Sequence, residues 1–134
     1  MVRRTQWSEW VSEALPAVLI LALSGCAGSQ ARPSYQDGAV RFSIEAPESA
    51  EVTLVVIEGV GSRPALKEYA TVRSTNGRRM VKVKLSPGEY RYFFRLDGAV
   101  VVDPEAPRQE NDDFGGINGL LKLEKTSSGS MVLF

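Results

Sequence analysis

The sequence has no histidine and a single cysteine, Cys26, among 134 residues. Without an imidazole, Ser-His-Asp and Cys-His machinery is excluded, and so are zinc sites that use histidine. One cysteine also excludes an intramolecular disulfide framework. Net charge is missing as well, because 16 Lys plus Arg balance 16 Asp plus Glu. With no long run of one sign either, the chain has no field for gripping nucleic acid, which is not expected as a partner. Both tryptophans, Trp7 and Trp10, sit near the start. The length leaves room for one ordinary domain.

The first 26 residues differ from the rest. Arg3 and Arg4 precede an unbroken apolar run at 14–23, A-L-P-A-V-L-I-L-A-L. About 20 apolar residues are needed for a transmembrane helix, whereas roughly 7 to 15 suit the apolar part of a signal peptide. The segment that follows, Leu23-Ser24-Gly25-Cys26, resembles the bacterial lipobox, which implies cleavage before Cys26 and lipidation of its thiol. The alternative is a plain secretory leader, or an N-terminal anchor helix, with Cys26 an ordinary small apolar residue. Lipidation implies a membrane partner reached through the lipid anchor alone. Ala27 after the cysteine implies the outer membrane, facing the periplasm.

Residues 26–38 are then the lipidated cysteine and a small, polar, Pro/Gly-punctuated linker, with Tyr35 unengaged. From residue 39 the period is two. Val40, Phe42 and Ile44 alternate with polar residues, and V-T-L-V-V-I at 52–57 suits a strand covered on both faces. A weaker strand at 66–74 meets 80–85 across Asn76-Gly77. Next, 90–96 places Tyr90, Tyr92, Phe94 and Leu96 on one face and Arg91, Phe93 and Arg95 on the other, before Asp97-Gly98 turns the chain into 99–102. Asp103-Pro104-Glu105-Ala106-Pro107 interrupts any sheet. A last strand spans 118–123, leaving a tail at 125–134 that either frays or docks its apolar end on the sheet. Seven or eight short strands with frequent turns argue an all-β, immunoglobulin-like sandwich.

The ordered motifs Pro87-Gly88-Glu89-Tyr90-Arg91-Tyr92, Leu96-Asp97-Gly98, Asp103-Pro104 and Phe114-Gly115-Gly116-Ile117-Asn118 resemble the glycogen-binding domain of AMP-activated protein kinase β subunits. This is carbohydrate-binding module family 48, of the early-set type. The resemblance spans 39–124 and implies an early-set sandwich. It also implies an α-glucan site in which two tryptophans stack on sugar rings while a Lys and an Asn bond the hydroxyls. Here the first tryptophan's segment is replaced by residues 56–63, the second falls near Val100, and the Lys position is Phe93. Phe114, Gly116 and Asn118 match.

Phe93, Phe114 and Asn118 are therefore the candidate glycan-binding residues. For Asn118 the alternative is a turn residue satisfying backbone groups; for Phe93, packing under a loop. Glu110-Asn111-Asp112-Asp113 reads as a solvated acidic loop rather than a calcium site, and Arg78, Arg79, Lys82 and Lys84 read as a wet basic face that also suits lipid phosphates. No catalytic residues, metal or cofactor are expected. The favoured expectation is a non-catalytic envelope lipoprotein binding another envelope protein through a strand edge or sheet face, with recognition of an α-glucan or other envelope glycan as the alternative. Exposed aromatics gathered on one face would favour the glycan; β-branched residues there would favour the protein partner.

Overall fold

The computed structural model describes residues 31–59, 63–112 and 114–134. The expected leader and Cys26 lie outside them. Eleven strands are described: β1 (Ser34–Gln36), β2 (Ala39–Ile44), β3 (Val52–Glu58), β4 (Ala65–Ala70), β5 (Val72–Arg73), β6 (Arg79–Val83), β7 (Gly88–Leu96), β8 (Ala99–Val101), β9 (Arg108–Asn111), β10 (Ile117–Lys125) and β11 (Met131–Leu133). They form a four-stranded sheet ordered β1-β2-β6-β5 and a seven-stranded sheet ordered β11-β10-β7-β3-β4, with β8 beside β7 and β9 beside β10. All pairings are antiparallel. The result is the expected all-β, immunoglobulin-like sandwich.

Period-two patterning builds the core. Val40, Phe42 and Ile44 of β2 face Leu54 and Val56 of β3, Tyr92 and Phe94 of β7, and Leu121 and Leu123 of β10. Phe42 meets the Tyr92 ring edge-on, with centroids 4.9 Å apart, and Tyr92 meets Phe94 at 6.3 Å. Each buried aromatic or aliphatic side chain of this kind contributes about 1.5–3 kcal/mol from surface removed from water. All these residues, and the partly buried ones packed on them from Tyr35 to Leu133, fall within 31–134. That segment therefore carries the core formed by the described residues.

Three segments depart from the expected pattern, and the tail takes the docked form of the two left open. The linker ends earlier than residue 38, because Asp37 and Gly38 both take positive φ (51° and 79°) and fold β1 back onto β2. Tyr35, expected to be unengaged, consequently packs on the core. The weak strand at 66–74 is two strands, one in each sheet. The chain changes sheets at Thr71, whose hydroxyl donates to the Val52 carbonyl at 2.7 Å, ending the β3–β4 ladder. After the two prolines the chain forms β9, which needs only backbone pairing with β10. The C-terminal residues dock edge-to-edge: a turn closed by Thr126 and Ser130, with Gly129 at φ 87°, returns β11 onto β10.

Candidate functional site

The outer face of the seven-stranded sheet is set by the same alternation that fills the core. Since Tyr92 and Phe94 point inward, Arg91, Phe93 and Arg95 point outward from β7. Val55, directly paired with Phe93, shares that face and is nevertheless fully buried. Phe93 is thus partly sunk over the sheet, and the Arg95 guanidinium lies 5.7 Å from its ring centroid. Asn118, the second residue of β10, lies opposite Phe93, one step beyond the Gly119–Tyr92 pair.

Gly119 is what lets β7 and β10 approach here. A Cβ at this position would come within 2.9 Å of the Tyr92 ring and 3.1 Å of the Ala106 Cβ. Asn118 is only 8% exposed, and among the described residues its side-chain amide has no hydrogen-bond partner. It sits within a strand, so it is not the turn residue of the alternative reading. Asp112 does that work. Its carboxylate accepts from the backbone amides of Phe114 at 2.9 Å and Gly116 at 2.6 Å, and its own amide donates to the Gly116 carbonyl at 2.8 Å. A side chain at Gly116 would collide with that carboxylate. The loop so braced holds Phe114 out of the surface at 96% exposure.

These residues converge. Phe93, Phe114 and Asn118 line one groove of about 590 Å³ together with Ile57, Arg91 and Asp112. The charges along it are mutually satisfied. Arg91 Nε donates to Glu110 at 2.6 Å and its second nitrogen reaches the other oxygen at 3.3 Å. That guanidinium, hydrogen-bonded to it, holds Glu110 below the usual carboxylate range. Arg95 is paired with Glu68. The groove therefore offers an exposed aromatic, a half-buried aromatic and the Asn118 amide beside the Arg91–Glu110 ion pair and the Asp112 carboxylate.

Val100, at the position of the second tryptophan, is exposed on the same outer face beside Arg95. Residues 60–62, within the segment replacing the first, lie outside the described residues. Among the described residues no three His, Cys, Asp or Glu side chains gather to hold a metal ion.

No family model matches the sequence, and no curated protein matches it. Solved structures do resemble it. A chain assigned as an alpha amylase, from Salmonella typhimurium, shares 25% identity over 66% of this chain with a TM-score of 0.50. A pullulanase from Bacillus acidopullulyticus shares 20% identity over 66% with a TM-score of 0.50. This chain spans only 14% and 11% of those chains. The likeness is to a small part of each, and it supports the sandwich fold.

One buried polar pair went unnoticed in the sequence. Tyr92 Oη donates to the Asp103 carboxylate at 2.7 Å, with both residues buried. Asp103 also accepts from the Glu105 amide at 2.9 Å. The sequence places Asp103 in a sheet-interrupting stretch and in the Asp103-Pro104 motif, and nothing local points to Tyr92.

Proposed function

We propose that this domain is a non-catalytic carbohydrate-binding module, carried on a lipoprotein anchored through Cys26, and that an α-glucan or related neutral glycan occupies the groove at Phe93, Phe114 and Asn118. The observation that carries this reading is the convergence of those three residues on one groove, with the Asn118 amide left unpartnered. Sugars present an apolar C–H face and a rim of hydroxyls, so a site for them needs aromatic surface and a few unengaged amides. Of the two features expected to discriminate, the face carries one exposed aromatic, Phe114, with Phe93 half-buried, and one exposed β-branched residue, Val100. The likeness to parts of an alpha amylase and a pullulanase points to the glycan.

A non-catalytic role is supported by the groove's carboxylates. Glu110 is held by Arg91 and Asp112 by two backbone amides. Glycoside hydrolysis needs one carboxyl as proton donor and another as base or nucleophile across the scissile bond. Both groups here are committed to structure.

The test is affinity electrophoresis of residues 31–134 through gels with and without glycogen or amylopectin. Retardation reversed by free maltooligosaccharide, and lost in Phe114→Ala, supports the reading. Unchanged mobility of the folded domain sinks it for α-glucan.

The protein-partner reading rests on a different feature. Strand β4 is an open edge of the seven-stranded sheet, and it is almost entirely exposed, Leu66 at 58%. Such an edge accepts an added strand from a partner. A proline at Lys67 would abolish that capture while leaving the groove intact.

A further inference from the structure

All five ion pairs among the described residues lie on the seven-stranded sheet: Lys67–Glu58, Arg91–Glu110, Arg95–Glu68, Arg108–Glu89 and Lys122–Glu124. The four-stranded sheet has none, and no acid occurs in any of its strands. Because Val40 and Phe42 of β2 and Val81 and Val83 of β6 point into the core, Arg41 and Lys82 point away from it. These two are direct register partners. Like charges placed opposite each other across a ladder are destabilising. Arg78, whose Nε donates to the Ser43 hydroxyl at 3.4 Å, lies on the same face. Arg73 and Arg79, by contrast, turn to backbone carbonyls of Glu48 and Ala50. Arg41 donates to the Met80 sulfur at 3.8 Å and not to an acid, so it stands against Lys82 at a cost to stability.

We infer that this face docks on anionic phospholipid headgroups. Phosphate oxygens would fill the space between Arg41 and Lys82 and relieve their repulsion. The placement of the chain favours a membrane over other polyanions. Strand β1, beside β2, is an edge of this sheet, and only seven residues separate its first residue, Ser34, from Cys26 in the sequence. A lipid there would hold this face near the surface. The groove lies on the outer side of the opposite sheet and would face away, toward a glycan. The docking itself depends on neither Cys26 nor the groove.

The test uses residues 31–134, which lack Cys26, in flotation with neutral phosphatidylcholine vesicles and with vesicles containing about 30 mol % phosphatidylglycerol at low salt. Binding to the anionic vesicles only, weakening as salt rises, is expected. Lys82→Ala should lower partition about fivefold and Arg41→Glu more. Arg41→Glu should also leave the melting temperature unchanged or raised, since it sets a carboxylate opposite Lys82, so its loss of binding is not loss of fold. Phe114→Ala should bind vesicles normally. Equal binding to both vesicles, no binding at low salt, or indifference to Arg41→Glu would overturn the proposal. So would displacement by inorganic phosphate at matched phosphate concentration, which would mark a discrete anion site instead of a membrane surface.

Discussion

Tyr92 Oη donates a 2.7 Å hydrogen bond to the Asp103 carboxylate inside the sandwich, tying the central strand β7 to the loop that leads into β9. Burial pushes the Asp103 carboxyl above its usual range, and the Tyr92 bond partly opposes that rise. Burial also pushes the Tyr92 phenol far up, and the nearby carboxylate adds to this. The phenol therefore stays a donor at any ordinary pH. The Arg78 field reaches Asp103 too and favours its charged form.

The first prediction follows from removing that donor. Tyr92→Phe should destabilise the domain by about 1–3 kcal/mol at neutral pH, because a buried carboxylate loses a partner. A folded-state pKa above the unfolded one means that the native state holds the proton longer. Stability from this group is then fully present below the ordinary carboxylate range and falls as pH rises through the raised value. Removing Tyr92's bond raises that value further, so the penalty should be larger near neutrality than in acid. Urea melts of both proteins at acidic and neutral pH check this; an equal penalty at both would show that the carboxylate does not feel the phenol.

Gly119 gives a second prediction, independent of charge. Gly119→Ala should cost about 1–3 kcal/mol, since the added methyl meets the Tyr92 ring at 2.9 Å in a packed interior. Thermal melts would show it directly. If the ring yields instead, the Asp103 bond is disturbed, and the pH dependence should come to resemble that of Tyr92→Phe.

How much of this was legible beforehand depends on what each segment needed. Strands with an apolar face, such as β2 and β7, announced themselves through alternation. Strand β9, R-Q-E-N, buries almost nothing and exists because its backbone completes β10, so no side-chain pattern could reveal it. The Asp37-Gly38 turn carries the same signal as Asp97-Gly98, whose residues also take positive φ. It was submerged in linker-like composition, because a three-residue strand is too short to alternate visibly. Phe114 and Asn118 were singled out by resemblance. Their meeting with Phe93 is a property of register, set by the β7–β10 ladder across the 24 residues that separate Phe93 from Asn118.

The Asp112 loop supports a third prediction. Asp112→Ala removes the acceptor for two backbone amides and should release the loop that presents Phe114, with a cost of about 1 kcal/mol per lost bond. Asp112→Asn keeps one acceptor oxygen and should lose less. If the groove binds a glycan, retardation in glycogen gels should fall in the same order, although neither substitution alters an aromatic ring.

The last prediction separates recognition from folding. Phe114 is 96% exposed and Asn118's amide has no partner among the described residues, so neither side chain is required by the core. Phe114→Ala should leave the melting temperature within the small range of surface substitutions, about 0.5 kcal/mol, while removing the only fully exposed aromatic surface described in the groove. Asn118→Ala should weaken retention by roughly tenfold, the factor that 1.4 kcal/mol gives, for loss of a hydrogen bond to a sugar hydroxyl. Phe93→Ala should behave differently, lowering both retention and stability, because its ring covers the buried Val55. If Phe114→Ala and Asn118→Ala both melt and migrate like the parent in glycogen gels that retard it, the sugar lies elsewhere on the domain. Two unaffected variants and one destabilised one would then mark the groove as packing.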